Sequence, residues 1–395
     1  MNTAPIVDPG RPEIAAPRRL SLPFDGVLLL AVLGICGASL LTLRYATTTD
    51  AIGGNPYVTR QAIYFAVGLV LAAGMARIDY SRLRELKYGL FALLVVSILA
   101  VSAIGQVAKG ARRAIDVGFF SFQASELGKV LVILALSAFM VDRIRRVNER
   151  DTTARVMLAG LVPAALVMAQ PDLGSALVYV VVSLAVLFMA GTSWRHFAAL
   201  AALGGIAVTL VLVAAPAVGV NVLHDYQKER LTSFLHPTNN PNDPGYQQNQ
   251  SKIAIGAGQK TGRGDQATQT KLDFLPEHHT DFIFGVVGER YGFVGAALVL
   301  SLYALVIWRG LRILTLSKNL FGALVAGGIV AMMMFQVFVN VGMTIGIAPI
   351  TGIPLPLMSY GGSSVITTLL AMGLLQSIYA QGRAAAALKG RVLTY

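Results

Sequence analysis

The chain is poor in charge. Of its 395 residues, 13% are Asp, Glu, Lys or Arg and 55% are hydrophobic, whereas a soluble domain carries about 25% charged residues. That deficit excludes an ordinary water-facing globule. Cysteine is almost missing: the single Cys36 lies inside an apolar run and cannot form an internal disulfide or a multi-cysteine metal site. Period-2 alternation is missing as well, which argues against a β-barrel. No P-loop, dinucleotide fingerprint or internal repeat stands out, and no nucleic-acid module accompanies the basic balance. Three short matches carry no weight: the tripeptide Arg263-Gly-Asp265, Lys260-Thr-Gly262 without its Ser-x-x-Lys partner, and the sequon Asn249-Gln-Ser251.

Long apolar runs are abundant. A spanning helix needs about 20 apolar residues. Ten candidates lie near 25–45, 60–76, 88–106, 125–141, 154–170, 174–190, 197–216, 282–307, 320–347 and 361–380. The expected fold is an all-α integral membrane protein of ten transmembrane helices. A disordered N-terminal tail is expected over 1–24, the membrane domain over 25–382 and a C-terminal tail over 383–395. The first run is too long for a signal-peptide core and no small-residue cleavage site follows it, so it is read as an uncleaved helix.

Charge sets the orientation. With the N-terminus inside, Arg77, Arg82, Arg84, Lys87, Arg143, Arg145, Arg146, Arg150, Arg155, Arg195, Arg309, Arg312, Lys318, Arg383, Lys389 and Arg391 all fall on the inner side. Outer loops at 46–59, 171–173 and 348–359 carry no Lys or Arg. Both termini are therefore expected in the cytoplasm, and the net charge of +12 faces anionic lipid. One short outer loop breaks the pattern: 107–124 holds Lys109, Arg112 and Arg113. They are either solvated charges or a phosphate-binding patch, since Arg presents a planar fork of donors to phosphate oxygens.

The large outer segment 217–280, between helices seven and eight, is too long to be structureless. Val222, Leu223, Tyr226, Phe234 and Leu235 could form an apolar interfacial face. Residues 246–255 read as a short helix, and Gly256, Gly258, Gly262 and Gly264 as a hinge-like stretch of a lid.

Asp281 closes this segment and opens the next apolar run. An ionisable group where the dry slab meets water is costly and commonly functional. Two readings stand: helix capping by Thr280 and Asp281, worth about 1 kcal/mol, or a general base or metal ligand. Glu277, His278 and His279 lie within four residues, at a spacing that fits no zinc signature. Glu289, just over two helical turns on, could share a cavity with Asp281, with Arg290 neutralising it. Glu126 and Lys129 are i,i+3 and read as an intrahelical pair or as part of a polar path. Gln170 and Asp172 sit in a tight turn, where Asp172 starts the next helix. Pro349, Gly352, Pro354 and Pro356 make an irregular uncharged loop. The run from Gly361 through Ser363 to Ser364 opens the last helix with free N–H groups, suited to capping or to an anion.

Together these pieces resemble the SEDS family of RodA and FtsW proteins over nearly the whole chain beyond residue 25. They are Lys109-Gly-Ala-Arg-Arg113, Phe122-Gln-Ala-Ser-Glu126 with Lys129, Gln170-Pro-Asp-Leu-Gly174, Tyr246-Gln247 with Gln250-Ser251, Leu275 to Phe284 with Gly288, Glu289 and Gly292, and Thr351 to Pro356 with Ser359 to Ser364. The wording around His278 to Phe284 looks more like RodA than FtsW. Two departures bear on the outer loop: relatives usually carry Trp where this chain has Ala114, and Pro where it has Ala124.

The resemblance implies a glycosyltransferase that polymerises lipid II at the outer face of the bacterial plasma membrane, in elongation, beside a class B penicillin-binding transpeptidase. The family's essential aspartate falls on Asp281. Substrate-binding roles are then expected for Lys109, Arg112, Arg113, Glu126, Lys129, Gln170, Asp172, Glu277, His279, Glu289 and Ser363. An Asp titrates near 3.9 and is a weak base at neutral pH, so a divalent cation such as Mg or Mn, shared with the substrate pyrophosphate, is an open variant. Two rival readings are a lipid II flippase, with buried charges lining a path, and a non-catalytic scaffold for the transpeptidase.

Overall fold

The structure, a computed structural model, describes residues 24–47, 55–108, 111–118, 120–217, 234, 244–271, 274, 275 and 277–392. The long helices are α1 (Gly26–Ala46), α2 (Pro56–Arg77), α3 (Lys87–Ile104), α4 (Ala124–Asp142), α5 (Arg150–Met168), α6 (Leu173–Met189) and α7 (Trp194–Thr209, running on through a π turn Leu210–Ala214). Two shorter helices follow, α8 (Pro244–Gly258) and α9 (Thr268–Lys271). The chain then closes with α10 (Ile283–Leu316), α11 (Leu320–Ile345) and α12 (Gly362–Val392).

Nine described helices are long and apolar enough to cross a bilayer, and the 17-residue Leu173–Met189 is a shorter apolar one. Each of the ten expected spans coincides with one of them. The protein is thus a multi-pass helical membrane protein. Helix starts follow local chemistry. The Asp25 carboxylate accepts from Leu28 N, Asn55 accepts from Tyr57 N and Val58 N ahead of Pro56, and Asn319 accepts from Gly322 N. Helices α4, α11 and α12 form the buried centre, whereas α7 has no buried residue and lies at the periphery.

Two ends of the bundle can be told apart by their ties. At one end Arg309 donates to Asp25 at 2.9 Å, Tyr80 bonds Ser317 and Asn319, and Ser377 donates to Ile78 O. Asp281 lies at the other.

The structure departs from expectation in four places. A three-stranded antiparallel sheet, β1 (Gln106–Ala108), β2 (Ala111–Val117) and β3 (Phe120–Phe122), occupies the loop after α3. It is too short to show as sequence alternation. The last helix runs to Val392, through most of the expected tail. The expected helix at 246–255 is α8, but it is packed into the bundle: its Gln248 donates to Met343 O and Ala348 O, both at 2.9 Å, and its Ser251 donates to Thr344 O. Of the four glycines read as a hinge, Gly256 and Gly264 have open space around them, but Gly258 and Gly262 are packed. A Cβ on Gly258 would stand 1.9 Å from Gly288 O, and one on Gly262 2.0 Å from Arg290 O. They allow backbone-to-backbone contact with α10. Val222, Leu223, Tyr226 and Leu235 lie outside the described residues, as does the tail before residue 24.

Candidate active site

Apolar anchors hold the ends of the turn that carries Asp281. Leu275 and Phe282 are fully buried in a small cluster with Ala46, Val286, Met343 and Ile350. Between them the chain is polar and half-buried from Glu277 to Asp281. The turn closes on Glu277, whose carbonyl accepts from Thr280 N at 3.1 Å and Phe282 N at 3.3 Å. Glu277 has φ +54°, a left-handed conformation that is unfavourable for a side-chain-bearing residue and gathers at functional sites. Its carboxylate accepts from Thr280 Oγ1 at 2.8 Å. His278 straps the turn to α1 through the carbonyls of Leu275 and Ala46. The His279 ring packs against Tyr57 and Tyr360, with centroids 5.1 and 6.1 Å away. Helix α10 starts at Ile283 with Phe282 as its N-cap and no side-chain capping bond.

Three consecutive carbonyls of this turn are pinned from outside. His279 O accepts from Tyr360 N at 2.9 Å, Thr280 O from Ser359 Oγ at 2.7 Å and Asp281 O from Asn340 Nδ2 at 2.9 Å. The pinning segment, 346–361, is the irregular uncharged loop, and it is itself tied down. Ser39 donates to Met358 O, Tyr303 to Pro356 O, Gln61 to Ser359 O, and Asn340 to Ile353 O at 2.8 Å. Ile353, Leu355, Leu357, Met358 and Ser359 are buried. Backbone groups in such a place must be satisfied, and here side chains of α1, α2, α10 and α11 do it.

Glu289 does not share a cavity with Asp281. It is fully buried, and its carboxylate accepts from Gln269 N at 2.8 Å, Thr270 N at 3.0 Å and Thr270 Oγ1 at 2.7 Å, which fixes α9 to α10. Arg290 does not neutralise it either. Its guanidinium stacks 3.2 Å from the Tyr45 ring centroid and donates to Gly264 O and Asp265. One turn on, α10 breaks at Gly292, whose φ of 62° and ψ of −159° only glycine tolerates. The loop repairs the break: Phe293 N donates to Gln259 O, Val294 N to Lys260 O, and Arg263 N to Glu289 O.

The remaining candidates gather where helices start. Asp172 caps α6 through Ser175 N at 3.0 Å, as the capping reading expects, and also accepts from Gln123 Nε2 and Ser125 Oγ. Ser363, in the first turn of α12, accepts from Gln123 N and donates to Ser121 O at 2.7 Å. The N-termini of α4, α6 and α12 are thereby tied together, and the sheet is tied to α12. Gln170 donates to Ile98 O and Ser102. Glu126 and Lys129 form the intrahelical pair, 2.6 Å apart and almost fully buried. Buried ion pairs of this kind depend on mutual satisfaction. Arg112 and Arg113 lie on β2, where Arg112 pairs with Val107; Lys109 is outside the described residues. Ala124 is the first residue of α4, a position that accepts Pro and Ala alike, so this departure leaves the helix start intact.

Sequence reasoning missed Asn340, Gln61 and Gln248. The signal for Asn340 was there: Gln336, Asn340 and Thr344 repeat at i,i+4 in an apolar run, and all three are buried. A polar stripe inside a spanning helix marks a face with partners.

A family model described as cell cycle protein, of FtsW, RodA and SpoVE, matches residues 22–384. The chain is 39% identical over 356 residues to peptidoglycan glycosyltransferase MrdB of Escherichia coli, covering 90% of this chain and 93% of that one. It is 33% identical to peptidoglycan glycosyltransferase RodA of Treponema pallidum, covering 91% and 98%. Among solved structures it resembles a chain from work on a peptidoglycan synthase complex that coordinates polymerization and crosslinking, with a TM-score of 0.75 at 30% identity over 91% and 99% of the two chains. It also resembles Thermus thermophilus rod shape determining protein RodA, with a TM-score of 0.66 at 27% identity over 91% and 97%.

Proposed function

The chain belongs to the cell cycle protein family of FtsW, RodA and SpoVE, and from that premise we propose how it works as a peptidoglycan glycosyltransferase of cell elongation. It polymerises lipid II, whose reacting bond lies at the membrane surface. Asp281 is the general base: it takes the proton of the acceptor's GlcNAc 4-hydroxyl as that oxygen attacks the donor's anomeric carbon. The bond from that carbon to the lipid pyrophosphate breaks, and the pyrophosphate leaves. A single displacement turns an α-linked donor into a β-1,4 link.

The observation that carries this reading is the segment Ser359 to Ser363. Its first two residues hold the carbonyls of Thr280 and His279, and Ser363, three residues past Tyr360, holds the sheet that bears Arg112 and Arg113. A fixed carboxylate and a cationic loop are thus linked through one short stretch, as a proton acceptor and a leaving-group stabiliser must be. The positive ends of α4, α6 and α12 converge beside the sheet and add to its attraction for phosphate. Lys109, Arg112 and Arg113 neutralise the departing pyrophosphate. A divalent cation fits the same reading if substrate oxygens complete its shell, since no three His, Cys, Asp or Glu side chains converge among the described residues. The Asp281 end faces outward from the plasma membrane, both termini face the cytoplasm, and a class B penicillin-binding transpeptidase is the partner.

The test uses the full chain with its transpeptidase, defined lipid II, and polymer formation with and without divalent cation. Polymer from wild type and a loss of about 10²–10⁴-fold in Asp281→Asn is expected. Normal polymerisation by a folded Asp281→Asn chain would sink the base assignment.

A further inference from the structure

We propose that Asn340 is a positioning residue for Asp281, an inference that rests on the base reading above. Asn340 sits on α11, 59 residues from Asp281 in sequence, and is fully buried. Its amide nitrogen donates to two carbonyls at once, Asp281 O at 2.9 Å and Ile353 O at 2.8 Å. Both partners are acceptors only, so the nitrogen must face them. Its Oδ1 is buried without a hydrogen-bond partner. An unpaired buried acceptor is destabilising and calls for a reason. The reason is the paired donors: one NH₂ group joins the Asp281 turn to the 346–361 loop.

Each of the three pinned carbonyls fixes one peptide plane of the turn, but the last has a special place. The Asp281 carbonyl orients the peptide immediately after the Asp281 Cα and so helps to set the direction of its Cα–Cβ bond, from which the carboxylate hangs. Tyr360 and Ser359 hold the turn from the loop side, through His279 O and Thr280 O. Asn340 holds it from the helix side and holds the loop too. Without Asn340 the carboxylate remains but its aim is free to drift, and misplacement of a catalytic group by about 1 Å can cost about 10²-fold in rate. The contact is made to the backbone, so it acts through geometry.

The experiment compares wild type, Asn340→Leu and Asn340→Asp in the full chain with its transpeptidase and lipid II. Asn340→Leu is close in size and lacks both donors and the orphan oxygen. Expected for it are a fall in melting temperature no larger than that of Ser359→Ala, a fall in kcat of at least tenfold that exceeds the loss in Ser359→Ala, and a KM for lipid II within about twofold. Hydrogen exchange read by mass spectrometry should quicken in peptides over 277–286 and stay unchanged over 296–310. In Asn340→Asp the buried carboxyl can donate one hydrogen bond while protonated, so activity should be partly rescued at low pH and fall as pH rises, relative to wild type. If Asn340→Leu does not fold, that profile carries the test. Wild-type kcat in a folded variant, unchanged exchange at 277–286, or a pH profile parallel to wild type overturns the assignment. Full activity of Asp281→Asn would overturn the base reading, while the exchange measurement would still report on the clamp.

Discussion

Two irregular segments meet at the Asp281 end of the bundle, and they are held in opposite ways. The uncharged segment 346–361 is buried, and its backbone groups are taken up by side chains of four different helices. The described part of the basic segment 106–122 pairs as three short strands and is bonded to the bundle at Ser121 through Ser363. The first is made rigid by polar groups drawn out of apolar helices. The second packs Ile115, Phe120 and Phe122 against the core and leaves Asp116 and Ser121 exposed. The difference teaches that lack of charge in a loop of a membrane protein does not mean lack of fixation. The loop can be dry because other helices donate to it.

The comparison can be pressed at graded points. The largest effect after Asp281→Asn itself should come from Gly262→Ala or Gly292→Ala. Both glycines have positive φ, and a Cβ would meet α10 or its repairing loop at 2.0 and 2.4 Å. Loss of folded protein in detergent, by about 1–3 kcal/mol or more, would show that the glycine stretch is a seam; unchanged melting would restore the hinge reading. Next, Ser359→Ala removes a donor to Thr280 O and an acceptor for Leu355 N. A buried pair lost in this way costs about 1–3 kcal/mol, and polymerisation should fall along with melting. Arg112→Gln with Arg113→Gln should act differently: stability unchanged, KM for lipid II raised several-fold, and the salt dependence of the rate weakened. A drop in melting temperature there would mean that the sheet, too, is part of the scaffold.

The smallest effect is a control at the far end. Burial would raise the Asp79 carboxyl, but the Ser81 N–H and Lys318 outweigh it and hold it below its usual range. Its contribution to stability is therefore present above the unfolded value near 3.9 and is lost as pH falls through the lower folded one. Asp79 is partly exposed, so Asp79→Asn should flatten the acid limb of the melting curve slightly and leave polymerisation untouched.

Much of this molecule was legible before its structure. The apolar runs gave the position of each of the ten apolar helices, though not the C-terminal ends of α10 and α12, because hydropathy is summed along the chain and needs no distant partner. Asp172 as a cap and Glu126 with Lys129 as an i,i+3 pair were readable for the same reason: their partners are local. Glu289 misled because helical spacing says which residues share a face but not which loop folds back onto it. The glycines misled because flexibility and close packing leave the same residue type. The short strands escaped because three residues of pairing give no periodicity.

The sequence by itself determined a ten-run membrane protein, its family, a carboxylate at a helix mouth and an unusual basic loop. Tertiary structure alone decided which distant partner the buried polar groups of α1, α2, α10 and α11 take. Asn340 lies 59 residues from Asp281 and Ser359 lies 79 from Thr280. Hydrogen-bond partners so far apart are chosen only when helices pack, since an amide buried inside the bundle has to find whichever carbonyl the packing brings within about 3 Å.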